Sequence, residues 1–364
     1  MPRRRPGVRA HPQAMNLRFT LLFWAVAACG SASMPAHGPV GPACVTSAVP
    51  FQRGMALGIF SRGAEEDVRP QIRELALLGA DSISLVVPRV LRDVRSDQFY
   101  AEAMVTPTDE SLRRATRLAH AAGMRVLLFP IVYVWDLRDG EWRGTLRPSD
   151  WRRWFDNYSR DILHYARLAG EEGIEYLSVG SELCSSEARE AEWRSLIRSV
   201  RGRYPGALTY SVNWDHRHAA RFLDAVDFVS MNAYFQLAED GRVAARRIEE
   251  VWQPIVQEVD AWAAGLGKPL VIAEIGYPSR DGAATDPWDY TVEAPADPGE
   301  QAVLYSAFLK AWARSRTLSG VYFYLWWGEG GLGDTGYTPR GKPAAEVLRG
   351  WFRKQTPDRE GGSP

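Results

Sequence analysis

The chain has 364 residues, of which 46% are hydrophobic and 24% are charged, a composition typical of a folded globular protein. Lysine plus arginine and aspartate plus glutamate balance at 44 each, so there is no basic excess to bind nucleic acid and no acidic excess to form a solvating tail. The three cysteines form no CxxC pair and no His/Cys ligand spacing, which argues against a structural zinc site.

The first 50 residues have the pattern of an export signal followed by a tether. Residues 17–28 are an apolar stretch behind Arg18 that is too short to span a bilayer comfortably, and they end in small residues before Cys29. This ending resembles the bacterial lipobox, so we predict a signal peptide over 1–29, lipidation at Cys29 and a tether over 30–50 rich in Ser, Ala, Pro and Gly. The protein would then be anchored to the bacterial cell envelope. The alternative is an ordinary secretory signal with an incidental cysteine, which would give a secreted protein.

Eight short apolar runs alternate with helical stretches along the rest of the chain. Strands are predicted over 54–60, 82–87, 125–132, 175–180, 207–212, 226–232, 269–273 and 320–327. Helices are predicted over 67–78, 109–122, 149–172, 188–203, 217–223, 243–264, 300–314 and 343–352. The apolar runs do not alternate with polar residues, as expected for strands covered on both faces.

This rhythm predicts a single-domain α/β fold, a (β/α)8 TIM barrel over 51–353 with a C-terminal tail over 354–364. An open doubly wound sheet is the competing arrangement. The long segments over 133–149 and 277–299 follow the third and seventh strands, and we expect these two loops to shape the ends of a cleft.

In such a barrel, functional residues lie at the C-terminal ends of the strands. Glu182 follows the fourth run and Glu274 the seventh, and a buried carboxylate at such a place is costly unless it is paired or used. Two carboxylates held by rigid strands are what acid/base and nucleophilic chemistry on a sugar acetal requires. The other strand ends and their loops add polar and aromatic side chains suited to a carbohydrate, namely Arg89, Trp135, Ser181, Asn213, Trp214, Asn232, Tyr234, Trp288, Trp326 and Trp327.

Three segments of the second half are similar to glycoside hydrolase family 113, a member of clan A that is associated with β-1,4-mannan hydrolysis. They are Ile272-Ala-Glu274-Ile-Gly-Tyr-Pro-Ser279, Asp286-Pro-Trp-Asp-Tyr-Thr291 and Asp334-Thr-Gly-Tyr-Thr-Pro-Arg-Gly-Lys-Pro-Ala344. The resemblance implies that Glu274 is the nucleophile and Glu182 the general acid/base. It also implies that Tyr234 hydrogen-bonds the nucleophile, and that Trp326 or Trp327 forms the floor of the sugar site.

The chain departs from the clan A pattern at Ser181, where clan A usually has an asparagine that contacts the sugar 2-hydroxyl. Mannose carries an axial 2-hydroxyl, so a shorter partner is compatible with a mannoside. The departure leaves two alternatives open: a glycosidase acting on another β-hexoside such as a β-glucan, and a surface lipoprotein that binds glycan without cleaving it. The expected partner in each case is an oligo- or polysaccharide, with neither nucleic acid nor a protein partner implied.

The proposed roles predict a retaining double displacement, which requires carboxyl groups about 5 to 5.5 Å apart. Burial and the charge of Glu274 are expected to keep Glu182 protonated near neutral pH. Arg89 is a candidate for holding Glu274 ionised, with a structural ion pair as the alternative. His216 and His218 form an His-x-His that could suggest a metal, but no third ligand is visible in the sequence. We therefore expect no metal and no organic cofactor, and a solvated or substrate-facing histidine pair.

Overall fold

The computed structural model describes residues 49–59, 67–239 and 244–353. The predicted signal peptide, Cys29, the tether up to residue 48 and the C-terminal tail from residue 354 lie outside the described residues. Within the described ranges, no helix combines the length and the apolar character needed to cross a bilayer.

Eight parallel strands form a closed barrel in which each strand pairs with the next along the chain and β8 pairs with β1. The strands are β1 (Gln52–Leu57), β2 (Ser82–Leu91), β3 (Arg125–Val134), β4 (Tyr176–Ser181), β5 (Ala207–Asn213), β6 (Val229–Asn232), β7 (Leu270–Ile275) and β8 (Leu318–Trp326). The pairing of β8 with β1 excludes an open sheet, so the predicted TIM barrel is confirmed.

Seven α-helices of the described residues cover the barrel. They are α1 (Arg69–Leu78), α2 (Asp109–Ala121), α3 (Trp151–Glu172), α4 (Glu190–Arg201), α5 (Ala245–Gly265), α6 (Pro298–Trp312) and α7 (Pro343–Phe352). Capping side chains define several helix starts: Thr108, Asp150 and Asp297 each accept a hydrogen bond from the backbone N–H three residues later.

The helix predicted over 217–223 does not form. This segment consists of turns, followed by a 3-10 helix over Leu223–Ala225. Arg217 donates to the backbone carbonyl of Trp214 and pairs with Glu258 of α5, which ties the chain into a turn at the point where a helix would begin. A seven-residue helix has too few internal hydrogen bonds to compete with such contacts.

Strands β2 and β3 run longer than predicted. The apolar pattern of β2 ends before Pro88, but Pro88 lies inside the paired register and the strand continues to Leu91. Strand β3, predicted to end at Val132, continues to Val134. The β3–α3 loop that follows reaches Glu182 through Arg143.

Alternation along each strand sorts the side chains into two cores. On β2, Val86 packs in the barrel interior, whereas Leu85 and Val87 pack against the helices. The interior is filled mainly by bulky side chains such as Phe129 and Tyr322. The helix-facing layer contains the fully or almost fully buried Trp154, Trp193, Trp252 and Trp312. These four tryptophans are packing residues and are not available to a ligand.

Close packing inside the barrel requires glycine at position 54. A Cβ atom on Gly54 would lie 2.1 Å from Cδ1 of Tyr322, whose ring fills the space between β1 and β8. The Tyr322 hydroxyl donates to Oε1 of Gln52 at 2.7 Å, so the ring cannot move without breaking a buried hydrogen bond.

We predict that Gly54→Ala lowers the free energy of unfolding by about 1–3 kcal/mol or more, since the added methyl group overpacks the interior. Gly350→Ala is the matched control, because a Cβ atom at that position in α7 meets nothing within 4 Å. It should leave stability unchanged or raise it by up to about 1 kcal/mol. Urea denaturation followed by tryptophan fluorescence tests both changes. Equal midpoints for Gly54→Ala and the unmodified chain would contradict the packing argument.

Candidate active site

Glu182 and Glu274 meet at the C-terminal mouth of the barrel, and each is only 5% exposed. The two carboxyls interact: burial and then the charge of Glu182 raise the pKa of Glu274 from 4.5 to about 8. The structure thus brings together the two residues that the sequence singled out, buried in a position where the charge of Glu182 opposes ionisation of Glu274.

Irregular backbone geometry orients the side chains of both Glu182 and Glu274. Interior residues Val271 and Ala273 alternate on β7, so regular pairing would turn Glu274 toward the helices. The register of β7 shifts against both neighbouring strands at this point, as at a β-bulge, and this redirects the side chain. Glu182 adopts a left-handed backbone with φ of 55°, which costs a non-glycine residue about 1 kcal/mol, while its N–H donates to the carbonyl of Ser211.

Arg143 is the main partner of Glu182, and the sequence analysis did not identify it. Its Nε and Nη2 atoms both donate to Oε2 of Glu182, at 2.8 and 2.6 Å. The guanidinium is 16% exposed, and its charge interacts favourably with Glu274 as well. Arg143 lies in a 3-10 helix over Arg143–Thr145, in the loop predicted to shape the cleft. No sequence signal distinguishes it from the other arginines of that loop.

The β3–α3 loop is fixed by its own hydrogen bonds. Thr145 Oγ1 accepts from the N–H of Trp142 and donates to its carbonyl. Gly144 lies under the Trp142 indole, where a Cβ atom would be 2.3 Å from the ring. Glu141 pairs with Arg147, whose backbone N–H donates to the Val94 carbonyl beyond β2. Arg143 is therefore held by an ordered loop.

Tyr234 lies beside Glu274, as the family resemblance implied. Its hydroxyl donates to Oε2 of Glu274 at 3.4 Å. Burial and the charge of Glu274 keep the pKa of Tyr234 well above its usual range, so the side chain is a neutral donor. The hydrogen bond favours the ionised form of Glu274 but does not offset burial, because the pKa of Glu274 remains raised.

The raised pKa falls on Glu274, because burial and the charge of Glu182 oppose its ionisation. Glu182 accepts two charge-assisted hydrogen bonds from the Arg143 guanidinium. Sequence does not reveal this contact, because it does not show which carboxyl a loop arginine reaches. The expectation that Glu182 carries the acid proton stays a prediction.

Arg89 does not lie with the pair, and its prediction as a site residue is wrong. Its Nε and Nη2 atoms bind the two carboxylate oxygens of Asp161 in α3, at 2.8 and 3.1 Å. Strand alternation explains this position, because Arg89 shares its parity with the helix-facing Val87. The alternative, a structural ion pair, is the one that the structure shows.

Of the two tryptophans that end β8, the structure places Trp326 away from the cleft. Its indole N–H donates to Oε2 of Glu74 in α1 at 3.0 Å, and it is 4% exposed in the helix-facing core. Trp326 therefore cannot form the floor of a sugar site. Trp327 is 40% exposed and packs over Gly58 at the end of β1.

Three further predicted aromatic residues lie on loops around the mouth. Trp135 is 43% exposed and meets Tyr133 edge to face, with the ring centroids 5.9 Å apart. Trp214 stacks on Trp288 at 6.1 Å and 25°, joining the loops after β5 and β7. Trp214 and Trp288 are half-buried, so Trp135 is the most exposed of the three. Aromatic ring faces suit the C–H surfaces of sugars, and the binding role of these residues stays a prediction.

The polar residues predicted at the strand ends bind one another. Asn232 is fully buried, donates to Ser181 Oγ at 3.2 Å and accepts from Ser211 Oγ at 2.7 Å. Asn213 donates to Asp215 at 2.7 Å. These bonds tie β4, β5 and β6 together below the carboxylates, and direct contact of Ser181, Asn213 and Asn232 with a sugar stays a prediction.

The structure places two further possible metal ligands beside His216, which the sequence did not reveal. Donor atoms of Cys184, Glu187 and His216 lie within 4.8 Å of one another. Both carboxylate oxygens of the buried Glu187 are already bound, one by the Tyr210 hydroxyl at 2.9 Å and one by Nδ1 of His216 at 2.7 Å. The bond to Glu187 raises the pKa of His216, which favours an ion pair over metal ligation. His216 is thus bound to Glu187, while its side chain remains 42% exposed, in agreement with a solvated residue.

A second group of donor atoms comes from Asp281, Asp297 and Glu300, also within 4.8 Å of one another. The Glu300 carboxylate accepts from the backbone N–H groups of Gly282 and Ala284. Asp297 caps α6. These carboxylates therefore have a structural use in closing the β7–α6 loop.

Comparison with known proteins agrees with the geometry. The model of Glycoside Hydrolase Family 113 matches residues 58–332. The chain is similar to a family 113 β-mannanase from Alicyclobacillus acidocaldarius, solved in complex with ManMIm, at 30% identity and a TM-score of 0.76, covering 85% of this chain and 99% of that one. A structure of a family 113 β-1,4-mannanase is 25% identical with a TM-score of 0.75, covering 84% and 100% of the two chains. No curated protein sequence matches the chain.

The two glutamates should affect stability in opposite directions. The pKa of Glu274 is 4.5 in the unfolded chain and about 8 in the folded one. Below pH 4.5 the carboxyl is protonated in both states and does not lower the free energy of unfolding. Above pH 4.5 it lowers that free energy progressively, until the pH passes about 8. Glu274→Gln should therefore be more stable than the unmodified chain above pH 8, by a few kcal/mol on the order implied by the shift, with no difference near pH 4. Glu182→Gln leaves Arg143 without its closest partner and should lose about 1–3 kcal/mol at pH 7.

Chemical denaturation at pH 4, 7 and 9 measures both effects. Each variant serves as the control for the other, because the side-chain change is the same and only its neighbours differ. A Glu274→Gln midpoint that does not rise between pH 4 and pH 9 relative to the unmodified chain would contradict the raised pKa.

Proposed function

The chain belongs to glycoside hydrolase family 113 and is therefore an enzyme that cleaves O-glycosyl bonds, and we propose that its substrate is β-1,4-mannan or a related β-mannoside. The observation that carries the mechanism is the buried, interacting pair Glu182 and Glu274 at the mouth of the barrel. Support for mannan comes from the similar β-mannanase, whose match covers 85% of this chain and 99% of that one.

The pair suits a double displacement. Glu274 attacks the anomeric carbon while Glu182 gives its proton to the glycosidic oxygen, and the bond between that carbon and oxygen breaks. A covalent glycosyl-enzyme forms on Glu274. A water molecule then attacks the same carbon, Glu182 takes the water proton, and the Glu274 carboxylate leaves. Two inversions at the anomeric carbon give net retention.

Several neighbours help Glu274 to ionise for this step. The Tyr234 hydroxyl donates to it, and the positive charge of Arg143 opposes the effects of burial and of Glu182. A pKa near 8 means that the nucleophile ionises only when its surroundings favour the charged form. Protonation of Glu182 removes the adjacent negative charge and therefore favours the Glu274 carboxylate.

The first test is hydrolysis of β-1,4-mannan, glucomannan, cellulose and xylan by the purified full-length chain. We expect oligosaccharide release from mannan, with kcat lowered about 10²–10⁴-fold or more in Glu182→Gln and Glu274→Gln, since each removes a reacting group. Arg89→Met is the matched control, because Arg89 is bound to Asp161 and lies away from the pair.

The outcomes of this test separate the possible functions. Hydrolysis of another polymer alone would keep the mechanism and overturn the mannan assignment. Binding without release by any variant would favour a glycan-binding protein. Equal release by all four proteins would show that the two glutamates do not carry the reaction.

The stereochemistry of the product tests the double displacement separately. Proton NMR during hydrolysis should show the β-anomer of the new reducing end first, before mutarotation produces the α-anomer. The α-anomer appearing first would indicate inversion, which needs carboxyl groups about 6.5 to 9.5 Å apart and a water molecule between them.

A further inference from the structure

Arg143 binds the predicted acid/base in a specific manner. Both of its donating nitrogens contact Oε2 of Glu182, so the other oxygen, Oε1, has no protein hydrogen-bond partner among the described residues. One carboxylate oxygen is thus held by a charged fork, while the other remains available to accept or give a proton. This arrangement of the two oxygens fits a carboxylate that must exchange a proton without changing its position.

The contact spans 39 residues and joins two loops on the same face of the barrel. The loop that carries Arg143 is anchored by the Thr145–Trp142 hydrogen bonds and by the Glu141–Arg147 ion pair. Glu182 is equally constrained, since its left-handed backbone is bound to Ser211. The contact is therefore part of the folded structure on both sides.

The other titratable groups that interact with Glu182 are acidic or neutral. They come from the segments after β4, β5 and β6 and from β7 and β8, namely Cys184, Asp215, Tyr234, Glu274 and Tyr324. The nearby His216 is bound to Glu187. Arg143 thus supplies the positive charge that makes a carboxylate at Glu182 acceptable beside Glu274.

We propose that Arg143 is a positioning residue for both half-reactions, which holds Oε2 of Glu182, presents Oε1 to the reacting oxygen and favours the carboxylate form that the second half-reaction needs. The proposal rests on the proposed two-glutamate function. In the first half-reaction, a proton on Oε1 passes to the glycosidic oxygen, and Arg143 stabilises the charge that appears on Glu182. In the second, Oε1 takes the proton of the attacking water while the bond to Glu274 breaks.

This role lowers the pH range in which the enzyme works. With Arg143 present, both carboxyls release their protons more readily, because its positive charge stabilises both negative charges. Without it, the nucleophile ionises only at higher pH, and the acid/base keeps its proton to higher pH. Both limbs of the pH profile should therefore move upward together.

The decisive comparison is the pH dependence of kcat/KM on a manno-oligosaccharide for three variants. In Arg143→Met both limbs should shift upward by one pH unit or more, about tenfold in each proton equilibrium. Arg143→Lys keeps the positive charge but not the two-nitrogen contact. Its pH profile should lie close to that of the unmodified enzyme, with kcat still reduced. Arg147→Met, from the same loop, is the control: its loss weakens the anchor to Glu141 and should leave the limbs in place.

A substrate with a dinitrophenolate leaving group separates the half-reactions, because such a leaving group needs no proton. On an aryl β-mannoside of this kind, the first half-reaction needs ionised Glu274 but no acid proton, so its rate in Arg143→Met should fall at pH 5 and recover as the pH rises. Steady turnover, which also needs the base form of Glu182, should recover over the same upward-shifted pH range. A fall of the same size at every pH would overturn the proposal in favour of simple loop support.

Carbon-13 NMR titration of labelled glutamate carboxyls distinguishes failure of this proposal from failure of the proposed function. Glu182→Gln and Glu274→Gln assign the two signals, and no substrate is needed. Upward movement of both titration midpoints in Arg143→Met would support the role of Arg143 even if no β-mannoside is cleaved. Unchanged midpoints would overturn it, whatever the activity on mannan.

Discussion

The site depends on one electrostatic constraint, the burial of two carboxyl groups side by side at the mouth of a closed barrel. Each is almost inaccessible to water, so the charge on Glu182 adds to burial in opposing ionisation of Glu274. Arg143 relieves this repulsion by binding one oxygen of Glu182 and by lying close enough to Glu274 to favour its charge. Interacting carboxyls of this kind are what the proposed double displacement requires.

The barrel sets the positions of these groups through strand parity and its local exceptions. Regular alternation turns Arg89 toward the helices, where it binds Asp161. Alternation on β8 breaks after Tyr324, so Trp326 faces the helices and donates to Glu74. The irregular register of β7 turns Glu274 the other way, and a left-handed backbone at Glu182 completes the pair. Both proposed catalytic carboxylates therefore lie where the backbone departs from its regular geometry, and the surrounding close packing maintains those departures.

A second layer of bonds supports the pair from below and from the side. Tyr210 donates to Glu187, which also binds His216, and the Tyr210 hydroxyl accepts from the N–H of Leu183, next to Glu182. Asn232 links Ser181 to Ser211 beneath the carboxylates. These buried, satisfied groups restrict the motion of the strand-end loops, so the reacting atoms are positioned by the fold before any sugar arrives.

The sequence alone determined the order of strands and helices, the barrel and the two glutamates, because apolar runs covered on both faces and costly buried carboxylates both leave local patterns. Local patterns also misled: the segment over 217–223 resembles a helix, but Arg217 ties it into a turn through Trp214 and Glu258. Only the tertiary structure decided that Glu182 binds Arg143, that Arg89 binds Asp161 and that Trp326 faces α1. The first contact depends on the path of a loop, the second on strand parity and the third on a shifted register. Each contact joins residues far apart in the chain, so no short stretch of sequence predicts it.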